Sequence, residues 1–257
     1  MILGYYETRF TNFGDQLSRA VVEKILKRKV HAINLSKDKN ISGKLIALGS
    51  IFHYAEKGDT IWGTGINPYW QKPKKLFSFF KKAKNLDIRA VRGPLTRDHI
   101  LNNLNIICPK VYGDPALLIP KLFPKLKRNP KKDYGIIPHI RDIHLFVDNP
   151  NLISPSHEWK KVVKAILKCK FIISSSLHGL IVAEAFGIPA RWLHNSDLPS
   201  YEKEGTFKYN DYYSSTNRSL NDYASTIEQA LEMGGKEKIK DFDYQALLDS
   251  FPYDKFK

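Results

Sequence analysis

A chain of 257 residues with 42% apolar and 12% aromatic side chains can bury one large core or two small ones, which excludes a disordered or fibrous protein. The net charge of +15, from 31 lysines and ten arginines, fits lysine-rich solvated faces and equally an anionic partner, namely membrane lipid, nucleic acid or a phosphorylated substrate. Two cysteines, Cys108 and Cys169, without metal-type spacing exclude a disulfide scaffold and fit a reducing compartment.

MILGYY opens as a strand and has neither the basic start nor the long apolar core of a signal peptide. No apolar run approaches the roughly 20 residues of a membrane span, so a soluble, cytoplasmic protein is expected. Asn12 to Asp15 make a turn, and Gln16 to Arg28 place Leu17, Ala20, Val21, Ile25 and Leu26 on one helical face. KLIALGS (44–50), TIWGTGI (60–66) and DIRAV (87–91) read as short strands. Lys72 to Lys84, KPKKLFSFFKKAK, brackets Leu76, Phe77, Phe79 and Phe80 with lysines. That pattern suits an anionic membrane surface, and an amphipathic helix with its rings in the core explains it equally. No nucleic-acid motif is present, so no nucleic-acid partner is expected. In RGPLTRDHILNNL, Gly93 and Pro94 stand where a helix cap and first residue belong.

LKRNPKKD (126–133) has the proline and charge of a linker. Beyond it YGIIPHI (134–140), HLFVD (144–148), FII (171–173) and PARWLH (189–194) read as strands. HEWKKVVKAILKC, LIVAEAFG, Leu220 to Gly234 and part of Ile239 to Phe251 read as helices. Alternating strands and helices predict an α/β protein of two Rossmann-like halves facing across a cleft. The expected units are residues 1–125, 134–235 and a C-terminal helical segment, 236–257.

In open α/β sheets ligands sit beyond the carboxyl ends of the strands, where helix N-termini hold anions. Four stretches fall at such places. In TNFGDQL, Asn12 and Asp15 suit capping and Gly14 allows a close approach, although plain turn chemistry also accounts for them. In WGTG, Gly63 and Gly65 free the backbone at a strand end. Arg92 lies between a strand and a helix, where its planar fork suits phosphate or carboxylate; a structural ion pair is the alternative. SSSLHGL and IIPHIRD each place a histidine, His178 or His139, just past an apolar strand, the second with Arg141 beside it. Hydroxyls and N–H groups from Ser174 to Gly179, including Ser175, Ser176, Leu177 and Gly179, suit an anion, and histidine suits acid–base work.

Taken in order, NFGDQL, GS with WGTG, VRGPLT, YGDPALL (112–118), IIPH, SLHGLIVAEAFGIP and FKYNDYY (207–213) resemble the polysaccharide pyruvyl transferase family. The resemblance runs from about Asn12 to Tyr213. It implies a fold similar to the two-domain GT-B arrangement. It also implies transfer of the pyruvyl group of phosphoenolpyruvate onto two hydroxyls of a surface-polysaccharide sugar, forming a cyclic ketal and releasing phosphate. No cofactor or metal is implied; the partners are phosphoenolpyruvate and a sugar acceptor. A lipid-linked acceptor, met at the inner face of the cell membrane, would give the Lys72–Lys84 segment a reason to exist. Arg92 would match the family arginine that grips phosphoenolpyruvate, and His178 the histidine of Leu-His-Gly, with Asp15 or His139 as its counterpart. Where some members carry arginine before Leu-His this chain has Ser176, so the second anion clamp falls to Arg141, His139 or Lys208. The competing expectations are a nucleotide-sugar glycosyltransferase using Glu184 for the ribose, and a non-catalytic partner in polysaccharide assembly.

Overall fold

The computed structural model describes residues 1–7, 11–38, 41–67, 85–201, 205–236 and 238–256. The Lys72–Lys84 segment, with its expected membrane contact, lies outside the described residues. Strands β1 (Ile2–Tyr5), β2 (Ala32–Asn34), β3 (Lys44–Ile46), β4 (Thr60–Trp62) and β5 (Asp87–Ala90) pair in the order β2-β1-β3-β4-β5. Strands β6 (Lys132–Ile137), β7 (Cys169–Ser174) and β8 (Ala190–Trp192) form a second sheet in sequential order. Every pairing is parallel. Parallel strands are covered on both faces, which is why β3, β4 and β8 are buried at every residue.

Among the described residues the α-helices are α1 (Phe13–Leu26), α2 (Pro94–Leu104), α3 (Ile119–Leu122), α4 (Trp159–Ile166), α5 (Leu177–Ala185), α6 (Phe207–Ser215), α7 (Ile227–Met233) and α8 (Tyr244–Asp249). The first sheet reverses its strand order between β1 and β3, and such a switch point opens a crevice at the carboxyl ends. Chain leaving β1 enters α1, and chain leaving β3 passes through Gly49 to Ile51. In the second sheet β6 leads to His139 and β7 to α5. The α/β architecture with parallel sheets thus agrees with expectation.

One apolar core runs through both halves, joining Leu3, Phe13 and Trp62 to Ile172, Leu180 and Trp192. The C-terminal segment folds back on the first half. The Trp62 indole donates to Leu247 O at 3.0 Å and packs edge-on against Phe251. HLFVD is not a strand: Ile143–Leu145 form a 3-10 turn, and Leu145 and Val147 are exposed, so its alternation meets no partner strand. The helix expected over 220–234 shrinks to Ile227–Met233, because Ala224 instead bridges to Leu193 beside β8. Gly234 does end that helix, at a positive φ of 65° that favours glycine.

Next to β8, His194 is stacked between Trp192 (centroids 4.1 Å apart) and Tyr201 (4.4 Å). Burial in this apolar stack pulls its imidazole down to about 4. Between pH 6.5 and about 4 the unfolded chain binds the proton and the folded chain does not, so stability falls with acidification through that window. As an upper bound the shift corresponds to about 3 kcal/mol, and solvent screening reduces it to roughly half. Urea unfolding at neutral pH and near pH 4.5 should show this loss in the wild type. His194→Phe should remove most of it.

Candidate active site

A cavity of about 310 Å³ lies where the carboxyl ends of the two sheets meet. The second half lines it with His139, Arg141, Ser176, Leu177, His178 and Lys208, and the first half with Asn12, Asp15 and Ser50 and an aromatic wall. The structure therefore brings together predicted residues from Asn12 near the start of the chain to Lys208 on α6.

Helix α5 begins in this cavity. Ser176 occupies its N-cap without making a side-chain cap, so among the described residues the first-turn N–H groups of Leu177, His178 and Gly179 stand uncapped at the positive end of the helix dipole. Arg141 and Lys208 add two cations to the same space. Lys208 is almost fully buried and its ammonium lies 5.2 Å from the Tyr209 ring centroid. Helix α1 differs. The Asn12 side chain accepts from Gly14 N–H at 3.1 Å and closes that N-terminus itself. Asn12 lines the cavity but acts first as a cap.

His178 is seated by its neighbours. A Cβ built at Gly14 would overlap its Nδ1 and stand 2.8 Å from its Cγ, so Gly14 leaves room for the imidazole. On the other side Nε2 faces Asp114 Oδ2 at 3.6 Å. His139 donates its backbone N–H to Ser175 Oγ at 2.8 Å, and its Nδ1 accepts from Arg141 N–H at 3.3 Å. Asp142, fully buried, accepts from the Ser175 and Ser200 hydroxyls at 2.7 Å each and latches the His139–Arg141 loop to β7.

Several expected binding residues lie elsewhere, each for a physical reason. Arg92 is wholly buried. Its Nε donates to Asp211 Oδ2 at 3.0 Å and its Nη1 to Ser50 Oγ at 2.7 Å. It reaches the cavity only through Ser50, so the expected direct grip on the donor is corrected to a structural ion pair. A Cβ at Gly65 would overlap that guanidinium, and one at Gly63 the Pro115 ring, so both glycines serve packing. Ser175 spends its hydroxyl on Asp142. A Cβ at Gly179 would overlap Ser174 Oγ, which makes this glycine a contact between α5 and β7. Glu184 faces the interior, taking Tyr212 OH at 2.6 Å, Tyr213 OH at 3.2 Å and Arg218 Nη2 at 2.6 Å. Burial and this carboxylate hold both phenols well above their ordinary range. A ribose-binding role for Glu184 is thereby overturned.

The wall opposite the cations carries no sequence signal strong enough to single it out. Tyr6 and Tyr54 lie with ring centroids 5.5 Å apart, and His53 is tilted against Tyr54 at 4.3 Å. Burial, reinforced by Tyr6, pushes the Tyr54 phenol up to about 12, so it stays a neutral donor. Asn67 completes this side. Uncapped N–H groups, two cations and a histidine can hold a phosphate or carboxylate and move a proton beside it, while rings and amides can take a neutral polyol.

Such a cleft belongs to an α/β protein whose candidate anion site shares one cavity with aromatic side chains. The chain belongs to the polysaccharide pyruvyl transferase family, which it matches over residues 12–197. It is 29% identical over 227 residues to the succinoglycan biosynthesis protein ExoV of Rhizobium meliloti (strain 1021), covering 81% of this chain and 62% of ExoV. An uncharacterized protein of Acanthamoeba polyphaga mimivirus is 27% identical over 252 residues, 86% of this chain and 82% of that one. A solved structure of a functionally uncharacterized protein from Klebsiella pneumoniae subsp. pneumoniae NTUH-K2044 superposes with a TM-score of 0.47 at 16% identity, over 80% of this chain and 87% of that one.

Proposed function

We propose that this protein transfers the pyruvyl group of phosphoenolpyruvate to two hydroxyls of one sugar in a polysaccharide or its precursor, giving a cyclic ketal and inorganic phosphate. Membership of the family supports the reaction class. The observation that carries the reading is the uncapped start of α5 opening into a cavity shared with Arg141 and Lys208, a cradle for a small dianion. On this reading the donor lies on the second half and the acceptor sugar against the Tyr6–Tyr54 wall, in a cleft of GT-B type.

The chemistry needs an acid to protonate the methylene carbon of phosphoenolpyruvate and a base to take a proton from the attacking hydroxyl. Protonation leaves an oxocarbenium-like centre at the adjacent carbon, which the first hydroxyl attacks. Phosphate then departs, and the second hydroxyl closes the ketal as its proton leaves with the phosphate. His178, Asp15 and His139 line the cavity and supply the groups for these transfers. Arg141, Lys208 and the α5 N–H groups stabilise the developing phosphate charge.

Incubation with phosphoenolpyruvate and a panel of galactosides, glucosides and N-acetylhexosaminides should yield a pyruvate-ketal product by mass spectrometry, with matching phosphate release. Phosphoenolpyruvate alone should raise the unfolding temperature. If a nucleotide sugar protects the fold instead while phosphoenolpyruvate does not, the reading fails in favour of glycosyl transfer.

A further inference from the structure

Asp114 lies outside every set of residues expected to touch substrate, yet its surroundings are those of a working group. It is fully buried at the head of the 3-10 turn Pro115–Leu118, where Oδ1 accepts from Ala116 N–H at 2.9 Å. Its second oxygen, Oδ2, is buried and has no hydrogen-bond partner among the described residues. The same is true of His178 Nε2, and the two atoms face each other at 3.6 Å. A buried carboxylate oxygen left unsatisfied is costly, so two such atoms side by side call for a common purpose. Hydrogen bonds in empty active sites are often long and tighten with substrate bound.

We infer that Asp114 is the positioning residue of His178: its Oδ2 accepts a hydrogen bond from Nε2–H and so fixes the tautomer of the imidazole. His178 lines the cavity and its Nε2 is buried, so on this inference Nδ1, which packs beside Gly14, is the nitrogen that serves the cavity. A proton held on Nε2 leaves the Nδ1 lone pair directed at the reactants. His178 therefore enters the reaction as the base that takes the proton of the attacking sugar hydroxyl, and the acid for the methylene carbon is a different group. The inference about chemistry rests on the proposed pyruvyl transfer; the inference about the tautomer does not.

Asp114→Asn separates positioning from mere capping. Asparagine caps as well as aspartate does, so its Oδ1 keeps Ala116 N–H and the turn survives. Its amide NH₂ then faces Nε2, which can only accept, and the imidazole proton moves to Nδ1. Long-range ¹H–¹⁵N correlation spectra of histidine-labelled protein at alkaline pH report the tautomer directly. The His178 signals are identified by their absence from His178→Gln.

The expected result is a proton on Nε2 in the wild type and on Nδ1 in Asp114→Asn. A wild-type proton on Nδ1 overturns the inference without need of any variant, and so does an unchanged tautomer in a folded Asp114→Asn. In the ketal assay Asp114→Asn should lower kcat about 10²–10⁴-fold, the scale of misplaced acid–base catalysis, with KM for phosphoenolpyruvate little changed. Should no ketal form with any protein, pyruvyl transfer fails while the spectra still decide the pairing.

Discussion

Asp211→Ala is expected to lose about 3–5 kcal/mol of unfolding free energy, a large share of what holds a domain together. The carboxylate is fully buried and accepts from three donors: Arg92 Nε at 3.0 Å, Thr96 Oγ1 at 2.7 Å and Thr96 N–H at 2.9 Å. Removing it leaves a buried guanidinium and two Thr96 donors without their acceptor. The exchange of both partners for apolar residues, Arg92→Met with Asp211→Leu, should recover part of the loss, because the uncompensated charge goes with the pair. Urea midpoints of Asp211→Ala and of the double variant measure this. A loss under about 1 kcal/mol for Asp211→Ala would show that the pair does not anchor the fold.

The consequence reaches the site. Asp211 and Lys208 stand one turn apart on α6, on neighbouring positions of one helical face. The backbone carbonyl of Asp211 occupies the place where a side chain at Gly93 would begin. Arg92, Gly93 and Thr96 thus form the seat of the helix that delivers Lys208 to the cavity. On the proposed reading, the VRGPLT motif acts on the candidate anion site at one remove, by docking the helix that carries Lys208.

Arg92 also marks how far the amino-acid order alone reveals this molecule. The alternation of strands and helices and the strand ends that carry His139 and His178 are legible in it, because periodicity and turn chemistry are local, whereas the helices expected from Gln16 and Leu180 begin three residues earlier, at Phe13 and Leu177. The role of Arg92 is not. An arginine after a strand looks the same in sequence whether its guanidinium meets a ligand or a buried aspartate 119 residues away. Gly63, Gly65 and Gly179 mislead in the same manner, since a glycine that admits a ligand and one that admits Pro115, Arg92 or Ser174 carry the same signature. Asp114 is hidden by its second role: an Asp-Pro pair before an apolar run reads as a cap, which it also is. In HLFVD, alternation alone misleads, because Leu145 and Val147 face solvent instead of a neighbouring sheet. Tertiary pairing decides each of these cases, and a single sequence does not display it.

Gly14→Ala is expected to leave the fold intact and reduce turnover about 100-fold, the loss that follows from roughly 1 Å of misplacement at a reacting group. Alanine in the first turn of α1 is the better helix former by about 0.5–1 kcal/mol, which offsets part of the roughly 1–3 kcal/mol cost of forcing a methyl into a packed contact, so stability should fall only modestly. Yet its Cβ would overlap His178 Nδ1 and crowd Cγ at 2.8 Å. The imidazole then has to rotate or withdraw, and Asp114, fully buried and fastened to Ala116 N–H, cannot follow it. Backbone and ring come from opposite halves of the molecule, so this one contact tests whether their closure builds the reactive geometry. Phosphate release with phosphoenolpyruvate and acceptor, read beside the unfolding temperature, separates the two effects. Near-normal turnover in a stable Gly14→Ala protein would mean that the seat of His178 is not where the chemistry is set. Lost turnover with only a modest fall in unfolding temperature would place it there.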